Sequence, residues 1–187
     1  MLSLNTHTFL RMKTMSRIKV AMALAIGATN FFGSVAYAFD QWSMNATSCT
    51  PDAGSIRDNL YIGTAGTVKF APGKVGNIIL YCPVPTLSWT PTSIAIQYYD
   101  DTAAPGNHVT AQFIEMSLGN ATGAGLIKSV ATVDSDPATT TGGNSKGAIK
   151  TFVHAYEPKS NAYYIRVDVS RTNANANETI YAVVLQN

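Results

Sequence analysis

An all-β fold is expected from this sequence: an antiparallel β-sandwich of about eight or nine strands, with a jelly roll among its candidate topologies and one disulfide. Three observations predict it. Beyond residue 40 the apolar and β-branched residues fall into short runs bounded by turn residues, and no window sustains a helical period. The stretch YYIRVDVS alternates: Tyr163, Ile165, Val167 and Val169 share one face, while Tyr164, Arg166, Asp168 and Ser170 share the other. One buried and one wet face is the signature of an antiparallel sheet. Finally, Cys49 and Cys82 are the only cysteines.

The chain begins with a leader. Arg11, Lys13, Arg17 and Lys19 precede an uncharged stretch, residues 20–28, and Ala36-Tyr37-Ala38 closes the segment. A charged region, a short apolar region and small residues at a cut site define a secretory signal peptide. Its apolar part falls short of the roughly 20 residues of a membrane span. Met15 opens a more compact leader, so the true start is expected there or at Met1, with cleavage near Ala38. The destination is the extracellular space or a periplasm. The part after Ala38 carries nine Lys and Arg against eleven Asp and Glu. The basic balance of the whole chain therefore belongs to the leader, and a phosphate-tracking nucleic-acid surface is excluded.

Residues 39–187 form one domain by length, long enough to bury a core. In an oxidising compartment Cys49 and Cys82 read as a disulfide. It would fasten the N-terminal segment to a strand ending at Tyr81, where Pro83 and Pro85 stop the ladder for want of an N–H. Strands are expected over 59–62, 67–70, 77–82, 93–99, 108–118, 126–133, 148–156, 162–170 and 179–185. Pro72-Gly73, Pro105-Gly106, Gly142-Gly143-Asn144 and residues 173–177 supply the breaks. In HVTAQFIEMSLG the phase slips at Phe113-Ile114, which a bulge explains as well as a strand buried on both faces.

The cysteine after the cleavage site, LYCPVP and the strand end YYDD together resemble small exported bacterial domains of unknown function that share a Cys…CP(L/V)P…D pattern. The resemblance covers Cys49 to Asp101. It implies an envelope or extracellular setting and a disulfide-stapled β domain, and it supplies no catalytic residue.

Chemistry-bearing groups are few. His108 and His154 are the only imidazoles after the leader, they fall on separate strands, and no serine sits in a G-x-S-x-G elbow. Asp100-Asp101 and Asp134-Ser135-Asp136 place carboxylates on loops, where calcium finds oxygen ligands and where Asp equally serves turns. Neither has the spacing of a known calcium loop. No cofactor is implied. Tyr98-Tyr99 and Tyr163-Tyr164 are adjacent pairs whose members point to opposite sheet faces, so one ring of each is available for a glycan or another surface polymer. The N-x-[ST] sequons at Asn45, Asn120 and Asn177 read as chance in a bacterial chain. Three classes of function fit: a non-catalytic binding module, an envelope or appendage subunit that self-associates through strand edges, and a hydrolase built around His108 or His154. The first is preferred for the shortage of catalytic groups.

Overall fold

The computed structural model describes residues 40–58, 61–102, 106–117, 125–136 and 145–187, all within one compact unit. The expected leader, the Asn120 sequon, Pro105 and Gly142-Gly143-Asn144 lie outside the described residues. In chain order the elements are β1 (Gln41–Asn45), β2 (Thr50–Pro51), α1 (Ala53–Arg57), β3 (Tyr61–Thr64), β4 (Thr67–Phe70), β5 (Gly76–Pro83), β6 (Ser93–Asp100), β7 (His108–Ser117), β8 (Ile127–Asp134), β9 (Lys146–Thr151), β10 (Asn161–Arg171) and β11 (Glu178–Gln186).

Two antiparallel sheets result, one ordered β3-β4-β11-β6-β9 and the other β2-β5-β10-β7-β8. The first sheet also holds β1, which joins β11 at Ala182 where β4 has ceased to pair. From β4 onward successive strands cross between the sheets, with β7 and β8 the one adjacent pair, giving the quartets β4-β11-β6-β9 and β5-β10-β7-β8. That is the strand order of a jelly roll.

Each expected run contains a strand, and the sandwich has eleven strands among the described residues instead of eight or nine. The additions are the short β1 and β2. In β1, Trp42 and Met44 alternate onto the core. The run expected through residue 156 leaves the ladder at Thr151, and Phe152 and Tyr156 fold over the end of the core instead. A short helix, α1, was also missed. Asp52 caps it by accepting the N–H groups of Ser55 (2.8 Å) and Gly54 (3.2 Å), and the bond from the Ser55 hydroxyl chiefly holds the Asp52 carboxyl below its usual range.

The phase slip is a bulge carried by the neighbour. Phe113 faces Ala131 and Ile114 faces Ser129, leaving Val130 of β8 as the extra residue, while β7 pairs with β10 without interruption. Phe113 is fully buried in the core and Ile114 is buried on the outer face, so the strand is also covered on both sides at that point.

The core follows from alternation. Ile94, Ile96 and Tyr98 of β6 and Ile180, Val183 and Leu185 of β11 meet Ile78 and Leu80 of β5, Phe113 of β7 and Ile165 and Val167 of β10, all buried. Each such aliphatic side chain contributes about 1.5–3 kcal/mol on burial. Cys49 and Cys82 form the expected disulfide, S–S 2.01 Å, within this core. It ties the turn before β2 to the end of β5. The ladder of β5 stops at Pro83, as the missing N–H requires.

On the other side, β8 and β9 are the open edges. Lys146 and Lys150 stand opposite Tyr98 and Ile94, and Lys128 stands opposite Glu115. Since Tyr98 and Ile94 face the core, Lys146 and Lys150 occupy core-facing positions of an edge strand, the placement that blunts an edge against pairing.

Candidate functional site

The two tyrosine pairs divide as opposite faces require. Tyr98 is fully buried and Tyr163 is 6% exposed, so both are core residues and drop out of the four candidate binding tyrosines, leaving one outward ring in each pair as the alternation predicts. Tyr163 stacks on Phe113 (5.5 Å) and lies 4.5 Å from Tyr156. Tyr99 and Tyr164 point outward, on different sheets.

Around Tyr164 the register builds a grid on the outer face of the five-stranded sheet. One row across the strands reads Tyr81, Arg166, Gln112, Thr132; the flanking row reads Pro83, Tyr164, Ile114, Ser129. Tyr81 is exposed and meets Tyr164 edge-on at 6.0 Å. Arg166 Nη2 donates to Asp168 Oδ1 at 2.8 Å, a bond that strengthens the guanidinium's hold on its proton. The face therefore combines two rings, an internally neutralised ion pair, an amide and a hydroxyl. At about 4.8 Å per strand spacing the row from Tyr81 to Thr132 spans roughly 14 Å.

Tyr99 lies on the other sheet. A bulge between Ile180 and Ala182 leaves Tyr181 without a pairing partner on β6. Ile180 and Val183 stay in the core, so the inserted residue turns its side chain outward. Tyr181 and Tyr99 then line a depression of about 350 Å³ with Thr67, Lys69, Asn177 and Thr179. Sequence reading missed Tyr81 and Tyr181. Tyr81 alternates with the buried Leu80 and Cys82 and was legible; Tyr181 depends on a bulge.

The loop carboxylates do not assemble into an oxygen cage. Asp100 is buried, accepting the Ser135 hydroxyl at 2.5 Å and the Thr102 N–H at 3.1 Å. Asp101 accepts from Asn177 N (2.9 Å), and Asp134 accepts from Asp136 N (3.0 Å). These are turn and strand-end bonds. Among the described residues no group of three or more His, Cys, Asp or Glu is arranged to hold a metal ion, so the calcium expectation for Asp100, Asp101, Asp134 and Asp136 gains no geometry.

A different acid was overlooked. Glu178 pairs across the ladder with Asp100, is 1% exposed, and neither of its side-chain oxygens has a hydrogen-bond partner among the described residues. Burial, then the charge of Asp100, raises its pKa to about 7 against the pull of Arg171. Arg171 itself is turned to backbone, donating to the carbonyls of Lys74 (2.7 Å), Ala71 (3.0 Å) and Ala176 (3.3 Å) and lying over the Phe70 ring.

The histidines are separated. His108 begins β7 near Asp136, whose carboxyl is held above its usual range by burial and then by Asp134. His154 lies near the other end of that strand, Nε2 3.5 Å from Glu115 Oε2, with both side chains largely buried. Asn161 Nδ2 donates to the second Glu115 oxygen. Among the described residues no hydroxyl or thiol is hydrogen-bonded to His154 or Glu115.

Fold and surface together define a disulfide-stapled, two-sheet β-sandwich with outward tyrosines on both sheets. No protein-family model matches the chain, and no curated protein matches it. Among solved structures it is similar to CBM86, a low-affinity xylan-binding module from the xylanolytic gut symbiont Roseburia intestinalis, at 10% identity over 78% of this chain and 94% of that one, with a TM-score of 0.39. No helix among the described residues is long and apolar enough to cross a membrane.

Proposed function

We propose that this is an exported, non-catalytic module that binds a neutral glycan on the outer face of the five-stranded sheet. The supporting observation is the row Tyr81–Arg166–Gln112–Thr132 with Tyr164 beside it. A sugar ring presents an apolar C–H face and a hydroxyl rim. Tyrosine rings match the first, and guanidinium, carboxylate, amide and hydroxyl groups match the second. Because Asp168 neutralises Arg166, the face favours an uncharged polymer. Pull-down on insoluble xylan, cellulose and chitin tests the reading. At least one polymer should retain the protein, and Tyr81→Ala and Tyr164→Ala should each weaken retention about tenfold with little change in thermal unfolding, as loss of a base- or ring-stacking contact of about 1.4 kcal/mol does. Retention of both variants at the wild-type level, or of the wild type by none, refutes it.

His154 beside Glu115 is the one observation that favours the hydrolase reading. Asn161 occupies one carboxylate oxygen, and the pair is covered, which suits a positioning role at the end of the core. Turnover of a glycan or ester by the wild type, lost in His154→Ala while the fold remains, would establish catalysis in its place.

A further inference from the structure

The depression on the opposite sheet differs from the tyrosine row in charge. Tyr99 and Tyr181 form its apolar part, Thr67, Thr179 and Asn177 offer hydrogen-bonding groups, and Lys69 supplies an ammonium. Whereas Arg166 is neutralised by Asp168, Lys69 has no ion pair or hydrogen bond through its side chain among the described residues. The neighbouring carboxylate, Asp101, accepts the Asn177 N–H and does not line the depression. Two phenol rings around an uncompensated cation suit a ring with an apolar face and a negative substituent.

We infer that this depression is a second, independent binding site that takes a sugar unit bearing a carboxylate, an inference that rests on the glycan-binding reading above. At about 350 Å³ it lies at the small end of ligand pockets, matching one or two sugar units instead of a long segment. The β11 bulge builds it. Tyr181 falls where the partner of β11 changes from β4 to β1, so the ladder gives way to an outward ring beside Lys69 and Tyr99. A uronate's ring would rest against the tyrosines while its carboxylate meets the ammonium, a charge-assisted contact exposed enough to be screened by salt.

Affinity electrophoresis and calorimetry with polygalacturonate test it on the whole oxidised protein. Wild-type protein should bind at about 10 mM salt and lose most of that binding near 0.5 M. Lys69→Gln and Tyr181→Ala should each reduce affinity about tenfold or more, as expected for losing a charge-assisted bond or a ring contact. Lys74→Gln, an exposed lysine elsewhere, should leave binding unchanged, as should Tyr81→Ala and Tyr164→Ala. No polygalacturonate binding at low salt, or an unchanged affinity in Lys69→Gln, overturns the inference. An equal loss in Lys74→Gln also overturns it, because the attraction is then diffuse. If neutral-polymer retention through Tyr81 and Tyr164 survives those outcomes, only the second site fails. If Tyr81→Ala abolishes binding of both polymers, one face serves both and the second site is again refuted.

Discussion

Replacing Glu178 by Gln should flatten the dependence of stability on pH. The wild-type carboxyl is buried beside Asp100, and its pKa of about 7 in the folded chain compares with 4.5 in the unfolded one. Between those values the unfolded chain has released the Glu178 proton while the folded chain keeps it. Folding therefore binds a proton, and stability falls as pH rises through the window; above about 7 the loss is complete. That difference in pKa corresponds to about 3 kcal/mol, most of which is lost between pH 5 and 8. Asp100, raised chiefly by burial, acts in the same direction in both proteins. Gln keeps the shape but cannot ionise, so this pH-dependent loss is absent from the variant. Denaturant unfolding of oxidised wild type and Glu178→Gln at pH 5 and pH 8 measures the difference of differences, in which all unchanged groups cancel. A gap of about 2–3 kcal/mol is expected. A gap below about 0.5 kcal/mol would show that Glu178 ionises normally in the folded chain and that burial against Asp100 has been misread.

Loss of the disulfide in Cys82→Ser should cost about 3–4 kcal/mol, the loop-closure value for its sequence separation of 33, and native protein should show no titratable thiol. Tyr98→Ala should destabilise by about 3–5 kcal/mol through a core cavity, whereas Tyr99→Ala at the surface should cost less than about 1 kcal/mol; comparable costs would mean the two faces are assigned wrongly. Exported protein should have Phe39 as its first residue by mass spectrometry, and a chain retaining residues 20–28 would remove the export proposal.

Much of the strand layout was legible because a two-layer fold imposes a period of two on one buried face. SIAIQYYD already carries its own phase: Ile94, Ile96 and Tyr98 share parity, so Tyr98 belonged inside and Tyr99 outside, and Asp100 followed Tyr98 inward. The same parity places Glu178 with Ile180, although an acid at a core position is easily dismissed as a loop residue. Less was legible where pairing breaks the period. The bulge at Tyr181 leaves no local composition signal, and it decides half of the depression's aromatic lining. At Phe113-Ile114 the slip was visible but the extra residue belongs to another strand, which one strand's pattern cannot reveal. The helix α1, at five residues, is shorter than the window in which a helical period can repeat; its only signal was the cap of Asp52 three residues before Ser55. Convergence of Glu115 and Asn161 on one end of the core depends on β7–β10 register, not on sequence distance.

The lysines on the core-facing side of β9 bear on how copies of the chain could build anything larger. A second copy pairing edge to edge along β9 would draw two sets of ammonium groups into one narrow seam, where their mutual repulsion and lost hydration oppose each new ladder bond. An envelope subunit assembled from this sandwich would therefore avoid pairing β9 with β9 and grow through its other edges, its sheet faces or its ends. The sheet faces hold the outward tyrosines, so assembly through a face and polymer capture would compete for one surface.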